Sequence, residues 1–344
     1  MLHLFLSKFM KQLLLIFLLI SSTFCSQAQL LNNKLGEAFT DKPFFSSELV
    51  AQNNIQKISG KFTMKKLGDI LRKTELKREY YFDEKGRLIK SFETIHAKNG
   101  FDTLIAIFEY DDLDRLIATR SKDQYGFYAK HYEYDSLNRP IREEYRRNLN
   151  AGANSLDFVL GEEFIVSYET ASYESYEGQE KKIVYNSYGV PYREEITYSN
   201  EEGQITERID RLKRTSGIKQ TVYKYNEKGL LDSLEISSNQ SGKSHRLYTF
   251  EYDDFNNLMA KQYFKNGEHQ TEYQIIYDGK TMLINYILTR EVATNYITIL
   301  KLDEYSFYGE NKKPKHFVDW LFECQLLWEM TIIILIQKIK LLQR

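Results

Sequence analysis

A short pattern that recurs along the chain constrains its fold more than any other feature. In each copy an aromatic residue is followed by Asp or Asn, and the fourth residue after the aromatic is Gly, Asp or Asn in six of the copies. The clearest copies are Phe82–Leu88, Tyr110–Leu116 and Tyr134–Pro140, and looser copies begin at Tyr185, Tyr225, Tyr252 and Tyr277. Internal repetition of this kind predicts a fold assembled from one structural unit.

The residues of the pattern are typical of a hairpin turn. Gly, Asn and Asp tolerate a positive φ better than other residues, and an Asp or Asn side chain accepts a hydrogen bond from a backbone N–H two residues further on. Together they predict a type I turn closed by a left-handed residue, a common connection between antiparallel strands. With the other turn signals, predicted turns fall at 86, 100, 114, 126, 138, 152, 189, 203, 217, 229, 242, 256, 267 and 279.

The spacing of these turns predicts the strands. Apart from the interval 152–189, successive turns are 11 to 14 residues apart, which leaves strands of about seven to ten residues. The residue two before each turn aromatic is itself aromatic or branched, as at Tyr80, Phe108 and Tyr132, and such positions share a face of a strand. The sequence therefore predicts an all-β protein, an antiparallel up-and-down meander of repeated β-hairpins that forms an extended curved sheet.

Two stretches depart from the pattern. The interval 152–189 is predicted to hold an extra strand pair or a long loop. Residues 29–77 form an irregular N-terminal segment in which only Lys61–Lys65 resembles a strand. The hairpin repeat domain is therefore predicted to cover residues 78–309, followed by a helical apolar tail at 310–344.

The tail differs in composition from the repeats. Leu321–Ile336 is largely apolar and predicts a C-terminal helix, but Glu323 and Glu329 argue against a membrane span. A helix that packs over the last strand is preferred, peripheral membrane contact through the tail is the second interpretation, and an ending replaced by an altered reading frame is the third.

The first 28 residues are predicted to be a secretory signal peptide. Lys8 and Lys11 precede the apolar run Leu13–Ile20, and the small polar stretch Ser26–Ala28 precedes a cut ahead of Gln29. Lipidation at Cys25 is disfavoured, because Phe24 is bulky where that processing wants a small side chain. The predicted location is secreted, in the periplasm or at the outer cell surface of a bacterium.

Charge and cysteine content restrict the partners. Removal of the two signal lysines changes the net charge from −1 to −3, which gives no tendency to bind nucleic acid. Only Cys324 survives cleavage, so packing alone must hold the mature chain. The 26 Tyr and 21 Phe supply apolar surface for an ordered protein.

The repeats resemble the YD-repeat, or rearrangement-hotspot, family, whose signature runs Tyr-Asp-x-x-Gly-Arg-Leu. Asp83–Leu88 and Tyr110–Leu116 match it best, and the resemblance covers about residues 78–285; the copies at Tyr185 and Tyr225 lack the Arg. The resemblance implies a secreted or surface β-structure associated with carbohydrate binding. Large members of the family wrap a shell around a toxin, but none of the four prolines here follows Asp, as the family's self-cleavage motif requires.

No catalytic or metal-binding motif is recognisable. The five histidines of the mature chain show no metal-ligand spacing, and paired carboxylates such as Glu143-Glu144 point to opposite faces of a strand. The densest acidic cluster, Asp111, Asp112 and Asp114, is interpreted as turn capping rather than a Ca²⁺ site. We therefore predict no enzyme activity, no cofactor and no metal.

The aromatic face has two interpretations. It is either the buried core, which is preferred, or a platform for a glycan or an envelope protein, with Tyr110, Tyr134, Tyr225 and Tyr252 as candidate binding residues. The function predicted from sequence is a non-catalytic binding or scaffold module, with carbohydrate or a cell-envelope protein as partner. An outer-membrane β-barrel and a secreted hydrolase are the alternatives.

Overall fold

Antiparallel strands make up almost the whole structure. The computed structural model describes residues 29–98, 100–123, 126–152 and 159–309, and it contains 18 strands and the short helix α1 (Ser47–Gln52) in these ranges. The strands are β1 Ile55–Lys65, β2 Arg72–Phe82, β3 Leu88–Ala97, β4 Gly100–Tyr110, β5 Leu116–Asp123, β6 Gly126–Tyr134, β7 Pro140–Asn150, β8 Leu160–Tyr176, β9 Gln179–Tyr185, β10 Pro191–Ser199, β11 Ile205–Leu212, β12 Ile218–Tyr225, β13 Leu231–Ser238, β14 Ser244–Tyr252, β15 Leu258–Lys265, β16 Glu268–Tyr277, β17 Ile284–Glu291 and β18 Tyr296–Phe307.

The sheet closes into a barrel. Every strand pairs with its neighbours in sequence, and β1 pairs with both β2 and β18, so that Ile58 lies opposite Tyr80 on one side and Tyr305 on the other. The meander predicted from sequence is confirmed, but the prediction of an extended curved sheet is wrong. Closure joins the first and last strands to each other, which would otherwise be open edges.

The irregular stretches of the sequence also contribute strands. The interval 152–189 holds β8 and β9, a strand pair rather than a long loop. Residues 29–77 hold α1, β1 and the start of β2, and β1 is the strand that closes the ring against β18. The predicted signal peptide at 1–28 and the predicted tail helix at 310–344 lie outside the described residues.

The repeated turns adopt the predicted geometry. In the turn of Tyr110–Leu116, Asp114 has φ 63°, and Oδ1 of Asp111 accepts hydrogen bonds from the backbone N–H of Leu113 at 3.0 Å and of Arg115 at 2.9 Å. The fourth residue after the aromatic has a positive φ in each of the first six copies: Gly86, Asp114, Asn138, Gly189, Gly229 and Asn256. The acidic cluster therefore serves the turn, as the sequence predicts.

The arginine of the motif joins one turn to the next. Arg115 donates to Oδ2 of Asp111 in its own turn at 2.7 Å, and its guanidinium lies 5.1 Å from the ring centroid of Tyr134 in the following copy. Arg87 makes the same two contacts with Asp83 and Tyr110. Arg139 makes them with Asp135 and Tyr173. The paired guanidinium thus stacks on the neighbouring aromatic face.

The tyrosine of the motif ties adjacent strands at the same end of the barrel. Tyr277, the last residue of β16, donates its hydroxyl proton to the carbonyl of Leu258, the first residue of β15, at 2.9 Å. The same bond recurs around the barrel, from Tyr110 to Leu88, Tyr134 to Leu116, Tyr173 to Pro140, Tyr225 to Ile205, Tyr252 to Leu231, and Tyr305 to Ile284. Tyr308 crosses the closure seam to the carbonyl of Phe82. We call this ring of contacts the tyrosine rim.

The N-terminal segment fills part of the barrel interior. Residues 29–46, here called the plug, bury Leu31, Phe44 and Phe45 against aromatic residues of the sheet. The ring of Phe45 lies 4.9 Å from that of Tyr80 and 5.0 Å from that of Phe82, both on β2. The plug also reaches β13 and β14, since a Cβ on Gly36 would lie 3.1 Å from Leu234 and 3.3 Å from Phe250. The face of the sheet that contacts the plug is therefore the inner face.

A buried lysine fixes the plug to the wall. Lys261 on β15 donates from Nζ to the carbonyl oxygen of Ala38 at 2.7 Å, and Nζ lies 5.4 Å and 5.8 Å from the ring centroids of Tyr248 and Tyr273. No carboxylate in the described part forms an ion pair with it. Burial lowers the pKa of Lys261 to about 8.

The tyrosine rim gives a first prediction. Tyr277→Phe should lower the free energy of unfolding by about 1–3 kcal/mol, because it leaves the Leu258 carbonyl without its buried donor. Tyr286→Phe is the matched control, since the Tyr286 hydroxyl has no hydrogen-bond partner among the described residues. Denaturant unfolding of the two variants measures the difference, and equal stabilities would show that the rim bonds contribute nothing.

The plug lysine gives a second prediction. Unfolded Lys261 has its ordinary pKa of 10.5, whereas the folded value is about 8, so between these values the unfolded chain binds more protons. The stability of the wild type relative to Lys261→Met should therefore rise as the pH increases from about 8 to about 10. Unfolding curves of both proteins at each pH test this, and a constant difference would contradict the low folded pKa.

The barrel interior as candidate functional site

A cavity lies between the plug and the inner wall. Its volume is about 530 Å³, within the range of about 300–1,000 Å³ that small-molecule sites occupy. The plug contributes Phe39, Thr40, Asp41, Lys42 and Phe44, and the wall contributes residues of β1 to β6 and β16 to β18. The cavity exists because closure of the barrel leaves more interior space than the plug fills.

Aromatic rings form one side of the cavity. Phe39 stacks on Tyr273 of β16 with ring centroids 5.3 Å apart and an interplanar angle of 5°, and it contacts Phe44 at 5.4 Å. Its backbone has φ 61°, an uncommon and strained conformation for a bulky residue. The local sequence does not favour this geometry, so the stacking contacts hold the Phe39 ring at the cavity.

Hydroxyl groups lie around these rings. The following cavity residues have hydroxyls with no hydrogen-bond partner among the described residues: Ser91, Ser121, Tyr128, Tyr273, Thr289 and Thr298. A hydroxyl both donates and accepts, and these groups are free to bond water or a ligand. The remaining wall is largely apolar, with Phe62, Phe108, Ile287 and Leu300 among the lining residues.

The charged groups at the cavity are mostly compensated. Arg78 on β2 donates from Nε to Oε2 of Glu93 on β3 at 2.9 Å, with a second contact from Nη2. Burial opposes the charge of Arg78, but the neighbouring Tyr80 and Glu93 outweigh it and raise the pKa of Arg78 above its usual value. Lys42 pairs with Glu37 at 2.6 Å. The cavity therefore offers no unpaired cation for an anionic ligand.

The tyrosines predicted from sequence lie elsewhere on the inner face. Tyr110, Tyr134, Tyr225 and Tyr252 belong to the tyrosine rim, where each hydroxyl donates to a backbone carbonyl. Tyr252 Oη additionally accepts from Nδ2 of Asn33 in the plug at 3.0 Å. None of the four lines the cavity. Their part in ligand binding stays a prediction, and the geometry gives them a role in holding the barrel.

Sequence reasoning missed the residues that do line the cavity. Thr289 and Thr298 lie opposite each other on β17 and β18, on the face of Tyr273, and the period-two alternation places them on one face of a strand. Nothing in the sequence of the plug shows that Phe39 meets Tyr273, because the two are far apart in the chain.

The other residues considered as catalytic or metal-binding candidates are not brought together in a site. Glu143 and Glu144 lie on opposite faces of β7, as predicted, since their cross-strand partners are the successive residues Tyr132 and His131. The Asp114 carboxylate forms ion pairs with Lys85 and Arg87, each at 2.7 Å. Across the described ranges, no three His, Cys, Asp or Glu side chains are grouped as metal ligands would be.

The outer face of the barrel is rich in charge. On β5, Arg120 is 7% exposed and pairs with Glu109 on β4 at 2.6 Å and with Glu163 on β8. On β7, Glu144 lies between Arg142 and Arg146. The register places further charged side chains on the outer face around the ring: Lys61, Glu79, Lys90, Lys181, Glu194, Glu207, Lys224, Glu235, Glu251, Glu272, Arg290 and Lys301.

Among the described residues, no helix has the length and apolar character needed to cross a membrane.

Comparison with known proteins gives structural likeness only. No family model matches the sequence, and no curated protein matches it. A porin-like protein from Bacteroides uniformis aligns with a TM-score of 0.34 and 11% identity over 73% of this chain and 97% of its own. A porin-like protein from Bacteroides vulgatus aligns with a TM-score of 0.25 and 10% identity over 71% and 96%. TcdB2-TccC3 without its hypervariable C-terminal region aligns with a TM-score of 0.19 and 12% identity over 70% of this chain and 15% of its own. Similarity this low carries no argument about ligand, activity or location.

Proposed function

We propose that this protein is a non-catalytic binding protein of the cell envelope that takes a small carbohydrate into the barrel interior. The observation that carries the proposal is the combination of a stacked aromatic pair with a group of unpaired hydroxyls in one cavity. A sugar ring has apolar C–H faces that pack on aromatic rings and hydroxyls that both donate and accept.

Other ligand classes fit the cavity less well. A purely apolar ligand would leave the hydroxyls of Tyr273, Thr289 and Thr298 buried without partners, which costs free energy. An anion would need an uncompensated cation, whereas Arg78 is paired with Glu93 and Lys42 with Glu37. A polyhydroxylated, uncharged ligand satisfies both constraints.

The absence of catalysis is part of the proposal. Glycoside hydrolysis uses two carboxylates placed on either side of the scissile bond. Glu93 and Asp41 are the carboxylates that line the cavity, and the Arg78 guanidinium holds Glu93 in an ion pair. Glu93 is thus already engaged in an ion pair, which leaves Asp41 as the other carboxylate at the cavity and not the facing pair that hydrolysis uses.

Two candidates remain for what surrounds the outer face of the barrel, namely water or membrane lipid. The observed closed barrel is the architecture of the outer-membrane alternative considered from the sequence, and Phe92, Ile107 and Phe127 supply apolar surface on the outer face of β3, β4 and β6. Charged side chains on the same face, such as Lys90 and Glu109, would be costly against lipid. We therefore propose that the outer face contacts water, in the periplasm or at the cell surface, and keep the membrane-embedded barrel as the second candidate.

The YD-repeat resemblance supports an envelope location as a proposal. The motif residues have distinct structural roles here: Asp caps the turn, Arg joins it to the next turn, and Tyr ties adjacent strands. Membership of that family stays a proposal, because turn chemistry alone favours the same residues.

Ligand binding gives a third prediction. Calorimetric titration with a panel of mono- and disaccharides should find a saturable ligand, and Tyr273→Phe or Thr298→Val should weaken its binding by about 3- to 10-fold through loss of one hydrogen bond. Thr249→Val on the outer face and Tyr286→Phe are matched controls. The proposal is wrong if no saccharide binds, or if the luminal variants bind as the wild type does.

The proposal that the outer face contacts water gives a fourth prediction. The mature chain, expressed without detergent, should remain soluble and should not co-float with lipid vesicles in a density gradient. The reason is that Lys90, Glu109 and the Arg120 network would have to lose water on insertion into lipid. Aggregation without detergent, together with stable insertion into vesicles, would favour the membrane barrel.

A further inference from the structure

The barrel interior is filled at the tyrosine rim. The first residues of β15 and β17, Leu258 and Ile284, accept rim bonds through their carbonyls and are fully buried. On the plug, Asn33 donates to the hydroxyl of the rim residue Tyr252 at 3.0 Å, and Leu31 is buried in the same apolar cluster as Leu258 and Ile284. The plug therefore closes the interior at this end of the barrel.

The interior opens towards the other end of the barrel. On the inner face of β17, Ile287 is buried, whereas Glu291, one turn of the alternation further from the rim and beyond, is exposed. On the inner face of β15, Lys261 is buried and Lys265 is exposed in the same way. Among the described residues, solvent therefore reaches the inner face from the end opposite the rim.

The cavity lies between the plug and this open end. Phe39 and Phe44 of the plug line it. On β4, Phe108 lines the cavity and is buried, whereas Leu104, which lies further from the rim on the same face, lines it and is 37% exposed. Lys42 of the plug also lines the cavity, with its side chain 62% exposed. The mouth of the cavity is therefore beside Leu104 and Lys42.

The wall gives the cavity no second exit. β16, β17, β18, β1 and β2 are hydrogen-bonded to one another in this order, and β3 to β6 continue the sheet from β2. Neighbouring strands of a sheet lie about 4.8 Å apart, which is too close for a sugar ring to pass between them. In the described ranges, the cavity is thus a blind pocket with one mouth.

We infer that the cavity takes the terminal residue of a glycan chain, and that the rest of the chain leaves past Leu104. This inference rests on the proposed carbohydrate function. An internal residue of a chain continues into another residue on both sides and needs two exits, whereas a terminal residue needs one. In a blind pocket, only a chain end reaches the stacked rings of Phe39 and Tyr273.

Calorimetric titration of the full mature chain with extended saccharides tests the inference. Each disaccharide of the panel is compared with three derivatives, which carry a short polyethylene glycol chain on one end, on the other end or on both ends. For a disaccharide that binds, one singly extended derivative should keep its dissociation constant within about 3-fold of the free sugar's, and the doubly extended derivative should bind about 100-fold more weakly or worse.

The outcomes separate this inference from the proposed function. If the doubly extended derivative binds as the free sugar does, the inference is overturned and the proposed function stands. If neither singly extended derivative binds, the pocket takes free disaccharides only, and the inference is again overturned. If no free saccharide binds, the proposed function fails and the inference fails with it.

A variant at the mouth provides the second measurement. Leu104→Trp narrows the exit, so it should weaken binding of the singly extended derivative by about 10-fold and of the free sugar by less than about 3-fold. Phe101→Trp is the matched control, since Phe101 is 56% exposed on the outer face of the same strand. Circular dichroism verifies that both variants keep the β-structure. Equal weakening of the free and extended sugars by Leu104→Trp overturns the exit past Leu104.

Discussion

The hydrogen bond from a turn tyrosine to the carbonyl of the adjacent strand is the interaction on which the rest of this structure depends. It recurs at one end of the barrel, from Tyr110 and Leu88 through Tyr277 and Leu258. Each bond joins neighbouring strands, since the tyrosine ends one strand and its acceptor carbonyl belongs to the first residue of the strand before it. At three of the turns an arginine also pairs with the turn Asp and stacks on a neighbouring tyrosine, as Arg87 does on Tyr110 and Arg115 on Tyr134. Repetition of this unit therefore binds neighbours together and extends until the ends meet.

Closure then determines what the interior must contain. A ring of this many strands encloses more space than its own side chains fill, and the plug occupies part of it through aromatic contacts and the Lys261 bond to Ala38. What is left is the cavity beside Phe39 and Tyr273. The candidate site thus arises from incomplete filling of the barrel, and its position depends on a segment that lies outside the repeats.

The inner face of the sheet changes in chemistry around the ring. Where it contacts the plug it buries aromatic residues such as Phe250, whereas on β10 and β11 it carries the ion pair of Arg193 with Asp210. The outer face carries ion pairs as well, such as Arg120 with Glu109. The apolar core thus lies on the side of the ring that the plug contacts.

The sequence by itself determined the turns, the strand spacing and the alternation, because each depends on residues close together in the chain. Asp111 and Asp114 specify their turn wherever it lies, and Tyr80 and Phe82 share a face in any strand. The predicted aromatic core was correct for the same reason. The candidate site was not predictable in this way, since Phe39 of the plug and Tyr273 of β16 are far apart in the chain and meet only in the closed barrel.

Only the tertiary structure decided that the sheet closes and where the plug lies. Closure requires β1 to pair with β18, two strands from opposite ends of the described chain, and no local pattern encodes such a contact. Phe39 meets Tyr273, and Lys261 meets Ala38, across a similar separation. These contacts form only once the ring exists, because the ring brings the distant segments to the same interior.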